Sequence, residues 1–301
     1  MSARLAALGA LALLTTGAAP ARFVLPKGVP VAQFMAACRG KDGWSDPAPP
    51  IKVFANVYYV GTCGIAAVLI ASDQGHVLID AGPADAAPQV LTNIRALGFA
   101  PGEVKWLVNS HEHLDHVGGL AEIKRVTGAQ FAARAAAKGP LERGAVDWRD
   151  PQAGSIKGFT GIAVDRVMAD GEHLVLGPID LTLHATPGHS PGSTSWTWRS
   201  CEGATCRDMV YADSISAVSA DSYKFSQHAV YVDAFARTLG KIAGLPCDIL
   251  ITPHPGPSNL FDRLAGKAPL VDRDACLKYA EAGQAALEKR IKDEGGGGAR
   301  K

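Results

Sequence analysis

Four potential metal ligands fall within six residues in the stretch Ser110-His111-Glu112-His113-Leu114-Asp115-His116. In an extended turn, residues two apart point to the same side, so His111 and His113 can bind one ion together. The chain then bends into a predicted helix, which turns Asp115 and His116 toward a second position close by. Imidazole nitrogens and a carboxylate suit zinc. The spacing therefore predicts a metal site at this turn.

Two further histidines lie in loops that favour a rigid site. His189 is in the stretch Thr186-Pro187-Gly188-His189-Ser190-Pro191-Gly192, and His254 is in Thr252-Pro253-His254-Pro255. Each stretch follows an apolar predicted strand, and histidines held at strand ends by Pro and Gly are typical of positioned ligands. The remaining four histidines are interpreted as ordinary hydrogen-bonded residues: His76, His173, His184 and His228.

The order of strands and helices predicts a layered α/β domain. Segments rich in Val, Ile and Tyr between turn residues indicate strands, and apolar residues on one face indicate helices. The predicted strands are 52–60, 64–71, 76–80, 105–109, 130–133, 172–176, 179–185, 193–199, 209–212 and 248–252. The predicted helices are 88–97, 116–127, 232–243 and 274–292, and the polar segment 144–160 is a predicted loop. Such alternation suits a layered domain.

The first 21 residues predict an export signal. Arg4 precedes an apolar run at 5–14, which is too short to span a bilayer, and Ala19-Pro20-Ala21 fits a cleavage site. A buried N-terminal helix is the alternative. We expect cleavage near Ala21 and a periplasmic or secreted protein. The mature chain, 22–301, is predicted to be one domain with an extended arm at 22–50 and a mobile tail at 295–301.

The charge balance argues against partners that bind by long-range electrostatic attraction. Lys and Arg number 30 against 29 Asp and Glu, which leaves a net charge of +1. A protein that binds a nucleic-acid backbone usually has a basic excess, and no stretch after the signal is long enough for a membrane span. We therefore expect no nucleic-acid and no membrane partner. Separately, we expect a small-molecule substrate and a monomeric protein.

The six cysteines suit an oxidising compartment, where disulfides persist. Cys201 and Cys206 flank a predicted hairpin tip, so they can meet locally. Cys38 precedes the first predicted strand and Cys63 follows it, while Cys247 and Cys276 begin a strand and the last helix. The predicted pairs are Cys38–Cys63, Cys201–Cys206 and Cys247–Cys276. A cysteine metal site is disfavoured because the chain has no C-x-x-C pair.

The motif H-x-H-x-D-H, the later P-G-H and the late strand-end histidine together resemble the signature of the metallo-β-lactamase superfamily. The resemblance runs from Val53 to the last helix. It implies an αββα sandwich, two mixed β-sheets flanked by helices, with the metals at one end of the sheets. It also implies a first zinc ion bound by His111, His113 and His189. A second zinc ion would be bound by Asp115, His116 and His254.

Within that superfamily, the chain resembles the subclass B3 β-lactamases. The similar stretches are 42–47, 58–62 and 211–214, and the six cysteines with 194–201 are similar to its disulfide-bearing branch. The resemblance implies a β-lactamase that opens penicillins, cephalosporins and carbapenems with a zinc-bound hydroxide, oriented by Asp115, and so confers antibiotic resistance. Other subclasses use a cysteine at the second zinc. Here Ser214 stands at that position, and His116 completes the second site.

The resemblance also suggests substrate contacts. Ser214 and Ser216 would hydrogen-bond the substrate carboxylate or its water. Gln152 either borders the pocket or is an ordinary loop residue, and Trp44 either closes the pocket or packs the arm down. Asp80 ends a strand behind the site, where it would support the ligands without binding metal.

Two alternatives remain open. Thioesterases and lactone hydrolases of the same fold often use a bridging aspartate in a segment near Asp213. A shift of one residue on a strand reverses the face, so the choice between Asp213 and Ser214 decides between those enzymes and subclass B3. The export signal and the B3-like stretches favour Ser214. A non-catalytic metal-binding module is the second alternative, and the six-ligand set argues against it because a structural zinc needs four.

Overall fold

The computed structural model describes residues 23–296, and the predicted export signal and the last five residues of the tail lie outside the described residues. The arm was predicted to be extended, but it contains a helix, α1 (Val31–Ala37). Phe34 explains this helix because its ring is fully buried and packs edge-on against Tyr59 and Phe261. This tertiary contact, rather than local preference, stabilises so short a helix.

Within the described residues the first sheet has seven strands, which lie side by side in chain order. They are β1 (Ile51–Phe54), β2 (Val57–Tyr59), β3 (Val68–Ile70), β4 (His76–Ile79), β5 (Val104–Val108), β6 (Gln130–Arg134) and β7 (Arg166–Met168). The pairs from β1 to β4 are antiparallel, and the pairs from β4 to β7 are parallel. The single strand predicted at 52–60 was wrong, because Ala55 adopts a φ of 47° and turns the chain into a hairpin.

The second sheet has five strands in the described part of the chain. They are β8 (His173–Leu176), β9 (Ile179–Ala185), β10 (Thr194–Glu202), β11 (Thr205–Tyr211) and β12 (Ile249–Ile251). Their order is β12-β11-β10-β9-β8, with β11 and β12 parallel and the other pairs antiparallel. Both sheets are therefore mixed, as predicted.

Seven further α-helices follow α1 in the described part of the chain, and five of them cover the outer faces of the two sheets. The seven are α2 (Ala87–Ala96), α3 (Leu114–Val117), α4 (Leu120–Thr127), α5 (Ala135–Arg143), α6 (Ala229–Ala243), α7 (Leu260–Leu264) and α8 (Ala275–Gly296). Side chains of α2, α4 and α5 share an apolar cluster with the first sheet. Side chains of α6 and α8 share another with the second sheet. A third cluster, which includes Val77 and Trp196, joins the two sheets. This arrangement confirms the αββα sandwich.

The helix predicted at 116–127 is two helices, because the chain breaks at Gly118 and Gly119. A Cβ at Gly118 would lie 2.8 Å from Ala84 N, and one at Gly119 would lie 2.8 Å from Ala81 O. Two glycines therefore allow the ligand-bearing turn to pack directly on the loop after β4.

All six cysteines are paired, and the three predicted disulfides are confirmed: Cys38–Cys63, Cys201–Cys206 and Cys247–Cys276. They join the arm to the segment after β2, close the β10–β11 hairpin, and join the segment before β12 to α8. Among residues 23–296, no helix combines the length and the apolar character needed to cross a bilayer.

Candidate metal centre

The predicted ligands come together from the ends of strands in both sheets. The turn 110–116 follows β5 in the first sheet, while His189 follows β9 and His254 follows β12 in the second. His111, His113 and His189 form one group in which the possible ligand atoms lie within 4.8 Å of one another. All three side chains are buried. The structure thus brings together three residues that the sequence separates by up to 78 positions.

A hydrogen bond to its outer nitrogen holds each of these three rings. The pairs are His111 Nδ1 with Asp213 Oδ1 at 2.8 Å, His113 Nε2 with Asp150 Oδ2 at 2.8 Å, and His189 Nδ1 with Ser216 O at 2.9 Å. Each bond occupies one ring nitrogen and leaves the other as the potential ligand. Carboxylate or carbonyl partners of this kind fix the tautomer and orientation of metal-binding histidines.

A second group consists of His111, Asp115 and His116, whose possible ligand atoms also lie within 4.8 Å of one another. Asp115 Oδ2 lies 3.1 Å from His116 Nε2 and 3.4 Å from His254 Nε2. Burial alone would raise the pKa of Asp115, but the adjacent His116 and His254 hold that pKa well below its usual range. Asp115 is therefore a carboxylate, flanked by two imidazoles.

These residues fit zinc. His111 Nε2 and both ring nitrogens of His116 are buried without a hydrogen-bond partner among residues 23–296. Such groups are costly unless something else satisfies them. Burial, together with the neighbouring imidazoles, holds the pKa of His111 and of His189 well below the usual range, so both rings are neutral and have a lone pair to donate. Neutral imidazoles with a carboxylate are a typical zinc donor set.

Asp213 and Ser214, the two residues that sequence could not rank, occupy different positions. Asp213 is fully buried behind His111, where its N–H donates to Ser195 Oγ at 3.0 Å and its carbonyl accepts from Tyr279 Oη at 2.9 Å. Ser214 lines a cavity of 630 Å³ that also reaches His254. Asp213 thus contacts His111, the histidine that the two groups share, whereas Ser214 faces the cavity.

Asp80 lies behind the site and supports the turn. Its Oδ1 accepts from Ser110 N at 2.7 Å, and its Oδ2 accepts from Ser110 Oγ at 2.6 Å and from Tyr211 Oη at 2.8 Å. The same Oδ2 lies 3.7 Å from His116 Nδ1. Asp80 has a φ of 59°, a left-handed conformation that is uncommon outside glycine, and these bonds hold it there. Burial raises its pKa to about 6.

Three residues with predicted roles at the pocket lie near the histidines. Gln152 Nε2 is 3.5 Å from His189 Nε2, and Ser216 Oγ is 3.1 Å from His189 Nδ1. Trp44 remains 48% exposed, and its ring centroid lies 6.4 Å from that of His254. The arm therefore reaches the edge of the site.

Sequence reasoning missed the roles of Asp150 and Glu112. Asp150 links two residues of the site, because its Oδ2 bonds His113 and its Oδ1 accepts from Gln152 N at 2.7 Å. Glu112 lies between two histidines of the turn yet points away from them, which the alternation of an extended chain could have indicated. Burial raises the pKa of Glu112 to about 7.

Comparison with known proteins identifies the class. The sequence model of the metallo-beta-lactamase superfamily matches residues 60–257, so the chain belongs to this superfamily and is a hydrolase. Among solved structures, the metallo-β-lactamase MIM-1 from Novosphingobium pentaromativorans is 53% identical, with a TM-score of 0.87, and the match covers 89% of this chain and 100% of that one.

Two further structures are similar and belong to subclass B3. MEM-A1, isolated from a soil metagenome library, is 42% identical with a TM-score of 0.82, and the match covers 84% of this chain and 99% of that one. BJP-1 of Bradyrhizobium japonicum is 32% identical with a TM-score of 0.77, and the match covers 84% of this chain and 97% of that one. Close structural neighbours of this protein are therefore subclass B3 metallo-β-lactamases.

Curated relatives match more weakly. A hydroxyacylglutathione hydrolase from Anaeromyxobacter dehalogenans is 32% identical over 43% of this chain and 40% of its own length. The N-acyl homoserine lactonase AttM from Agrobacterium fabrum is 29% identical over 47% of this chain and 48% of its own length. The chain thus spans less than half the length of these relatives.

Proposed function

We propose that this protein is a zinc-dependent β-lactamase of the subclass B3 type, which hydrolyses the amide bond of β-lactams. One observation carries the proposal: two groups of potential ligands share His111, and His116 rather than a cysteine lies beside Asp115. In this assignment one ion is bound by His111, His113 and His189. The other is bound by Asp115, His116 and His254.

Two bound zinc ions would act as Lewis acids that polarise the lactam carbonyl and lower the pKa of a water molecule. The carboxylate of Asp115 accepts a hydrogen bond from the attacking water and orients it. Because His116 and His254 keep Asp115 ionised, this acceptor is present at neutral pH. Reaction by this route needs no serine nucleophile.

The substrate is held by side chains that lie beside His254 and His189. Ser214 lines the cavity beside His254, so its hydroxyl is available to a substrate carboxylate. Ser216 lines the same cavity and also lies next to His189. On the other side of His189, the Gln152 amide is placed to donate to a substrate carbonyl. Trp44 supplies an apolar surface beside His254.

The protein acts after export, in the periplasm or outside the cell, where three disulfides persist. Cleavage near Ala21 and a monomeric mature chain are part of this proposal. Hydrolysis of β-lactams in that compartment protects the cell wall synthesis that these drugs attack, which gives antibiotic resistance.

The alternative is a hydrolase of the same fold that acts on lactones or thioesters. It is favoured by the curated relatives, which include a hydroxyacylglutathione hydrolase and an N-acyl homoserine lactonase. In such an enzyme Asp213 would bind metal directly. Its hydrogen bond to the outer nitrogen of His111 indicates instead that Asp213 orients this histidine.

The test is hydrolysis of a chromogenic cephalosporin and a carbapenem by the purified mature protein. We expect fast hydrolysis that a chelator abolishes and zinc restores. His189→Ala should remove the activity, whereas His184→Ala, which changes a histidine of β9 outside the site, should retain it. The same protein is offered a lactone and a thioester. Hydrolysis of these alone by zinc-loaded enzyme would reject the β-lactamase in favour of the alternative.

A further inference from the structure

The turn 110–116 contains two acidic residues, and Glu112 is the one that belongs to neither group of potential metal ligands. It lies between His111 and His113, and because side chains alternate in an extended chain it points to the opposite side. Its side chain is completely buried. It lies away from the cavity lined by Ser214 and contacts neither histidine group, so it is not a catalytic residue.

Both carboxylate oxygens of Glu112 reach the separate loop that carries His189. Oε2 accepts from Ser190 Oγ at 2.7 Å, and Oε1 accepts from the backbone N–H of Gly192 at 2.9 Å. Ser190 directly follows His189 in the chain. The two hydrogen bonds therefore hold the loop on the C-terminal side of His189, one through the Ser190 side chain and one through the Gly192 backbone.

The contact is too close for any residue other than glycine at 192. A Cβ there would lie 2.4 Å from Glu112 Oε2 and 2.7 Å from the Cβ of Ala137. Within the loop, Ser190 N–H also donates to Ser193 Oγ at 3.0 Å, which stiffens the gripped segment. Glu112 thus meets a loop already held in one conformation.

This contact matters because the first metal group is assembled from two places in the chain. His111 and His113 follow β5, while His189 follows β9 in the other sheet. A loop shift of about 1 Å would spoil a geometry that zinc sites hold within tenths of an ångström. We propose that Glu112 is a positioning residue, which sets the distance from His189 to the His111–His113 pair by holding the Ser190–Gly192 loop.

The inference rests on the proposed metal site and not on which bond the enzyme hydrolyses. Its test therefore measures metal binding to the whole mature protein. Zinc affinity is measured by competition with a chromophoric chelator, and site geometry by the visible spectrum of the cobalt-substituted protein. The variants are Glu112→Ala and Glu112→Gln.

Glu112→Ala should weaken zinc binding at the site of His111, His113 and His189 by about 10- to 100-fold, the usual effect of losing a residue that supports metal ligands. It should also alter the cobalt spectrum. Glu112→Gln should stay within a few-fold of wild type. Its amide oxygen can accept from Gly192 N, and its amide nitrogen can donate to Ser190 Oγ, so the size and both contacts persist.

Asn93→Ala is the matched control. Asn93 is buried on α2, where its amide donates to Ala48 O at 2.9 Å and Val60 O at 2.9 Å. Its loss should lower the melting temperature and leave zinc affinity and the cobalt spectrum unchanged. A merely structural role for Glu112 would give the same result as Asn93→Ala.

Wild-type zinc affinity and spectrum in folded Glu112→Ala would overturn the inference, as would an equal loss of affinity in Asn93→Ala. If Glu112→Ala fails to fold, Ser190→Ala replaces it. That change removes one of the two bonds and should weaken zinc binding by a smaller factor, and no change would also overturn the inference. Failure to hydrolyse β-lactams would reject the proposed function without affecting these readouts.

Discussion

Asp213 Oδ1 lies 2.8 Å from His111 Nδ1, and both side chains are fully buried. His111 belongs to both groups of potential ligands. One carboxylate therefore fixes the tautomer and direction of the ring at which the two groups meet. The contact supports the proposed β-lactamase, because this oxygen of Asp213 faces the outer nitrogen of His111, whereas a bridging aspartate would face the ions.

Asp213→Ala should lower zinc affinity by about 10- to 100-fold while both ions remain bindable, because the ring of His111 loses its support but remains a ligand. Asp213→Asn should lower zinc affinity by a smaller factor, since its amide oxygen can still accept a hydrogen bond from His111 Nδ1. Zinc competition and metal counting by mass spectrometry check this. Complete loss of one ion from both variants would instead identify Asp213 as a bridging ligand.

Gln152→Ala should raise KM for β-lactams about 3- to 10-fold with zinc content unchanged, the effect expected from one hydrogen bond of about 1 kcal/mol. The reason is its place beside His189 Nε2. Gln284→Ala is the control and should leave KM unchanged, because Gln284 is a half-buried residue of α8 whose amide donates to Glu288 Oε1 on the same helix. An unaltered KM in Gln152→Ala would make this residue an ordinary member of the loop.

Replacing Cys38 and Cys63 by serine should lower the free energy of unfolding by about 3.5 kcal/mol, because the bridge closes a loop with a sequence separation of 25. The same change at Cys201 and Cys206, separated by 5, should cost about 2 kcal/mol. Urea unfolding of the two double variants compares them. Equal losses would contradict an explanation based on loop entropy.

His76 should make stability fall as the pH drops below 6.5. It is buried against Phe99, and burial lowers its pKa, with Glu103 opposing this effect and Lys105 reinforcing it. The unfolded chain therefore takes up a proton before the folded one does, so the folded state loses relative stability.

His76→Gln should reduce this loss by up to about 1.4 kcal/mol per pH unit between pH 7 and pH 5. Urea unfolding of the metal-free proteins at several pH values gives the comparison, because the metal ligands then titrate alike in both. If the free energy of unfolding falls equally with pH in wild type and variant, His76 does not contribute to the pH dependence of stability.

The features that sequence predicted well are those set by short stretches of chain. The alternation of an extended turn indicated that His111 and His113 share a side, and Cys201–Cys206 pair across the tip of one hairpin. The alternation also places Glu112 on the side opposite His111 and His113, but it does not reveal the hydrogen-bond partners of Glu112 or of Asp150. Their partners lie 37 to 80 residues away on other loops, and only the tertiary fold brings them together.

Local patterns also failed where tertiary contacts decide the conformation. The residues around Ala55 have the composition of one continuous strand, but the chain turns there and pairs β1 with β2. Likewise, α1 is too short to be stable alone, and Phe34 makes it stable by packing on Tyr59. For α1 the deciding partner lies outside the local pattern, whereas the turn at Ala55 lies inside it and depends on a positive φ that composition does not indicate.

The ligand residues are divided between the two sheets, with the turn after β5 on one side and the loops after β9 and β12 on the other. A metal ion bound here is therefore also a cross-link between the halves of the sandwich. At a free zinc concentration about 1,000 times the dissociation constant, such binding adds about 4.1 kcal/mol to the stability of the fold. We therefore expect the zinc supply of the surroundings to determine how long each molecule resists proteolysis, in addition to its proposed activity.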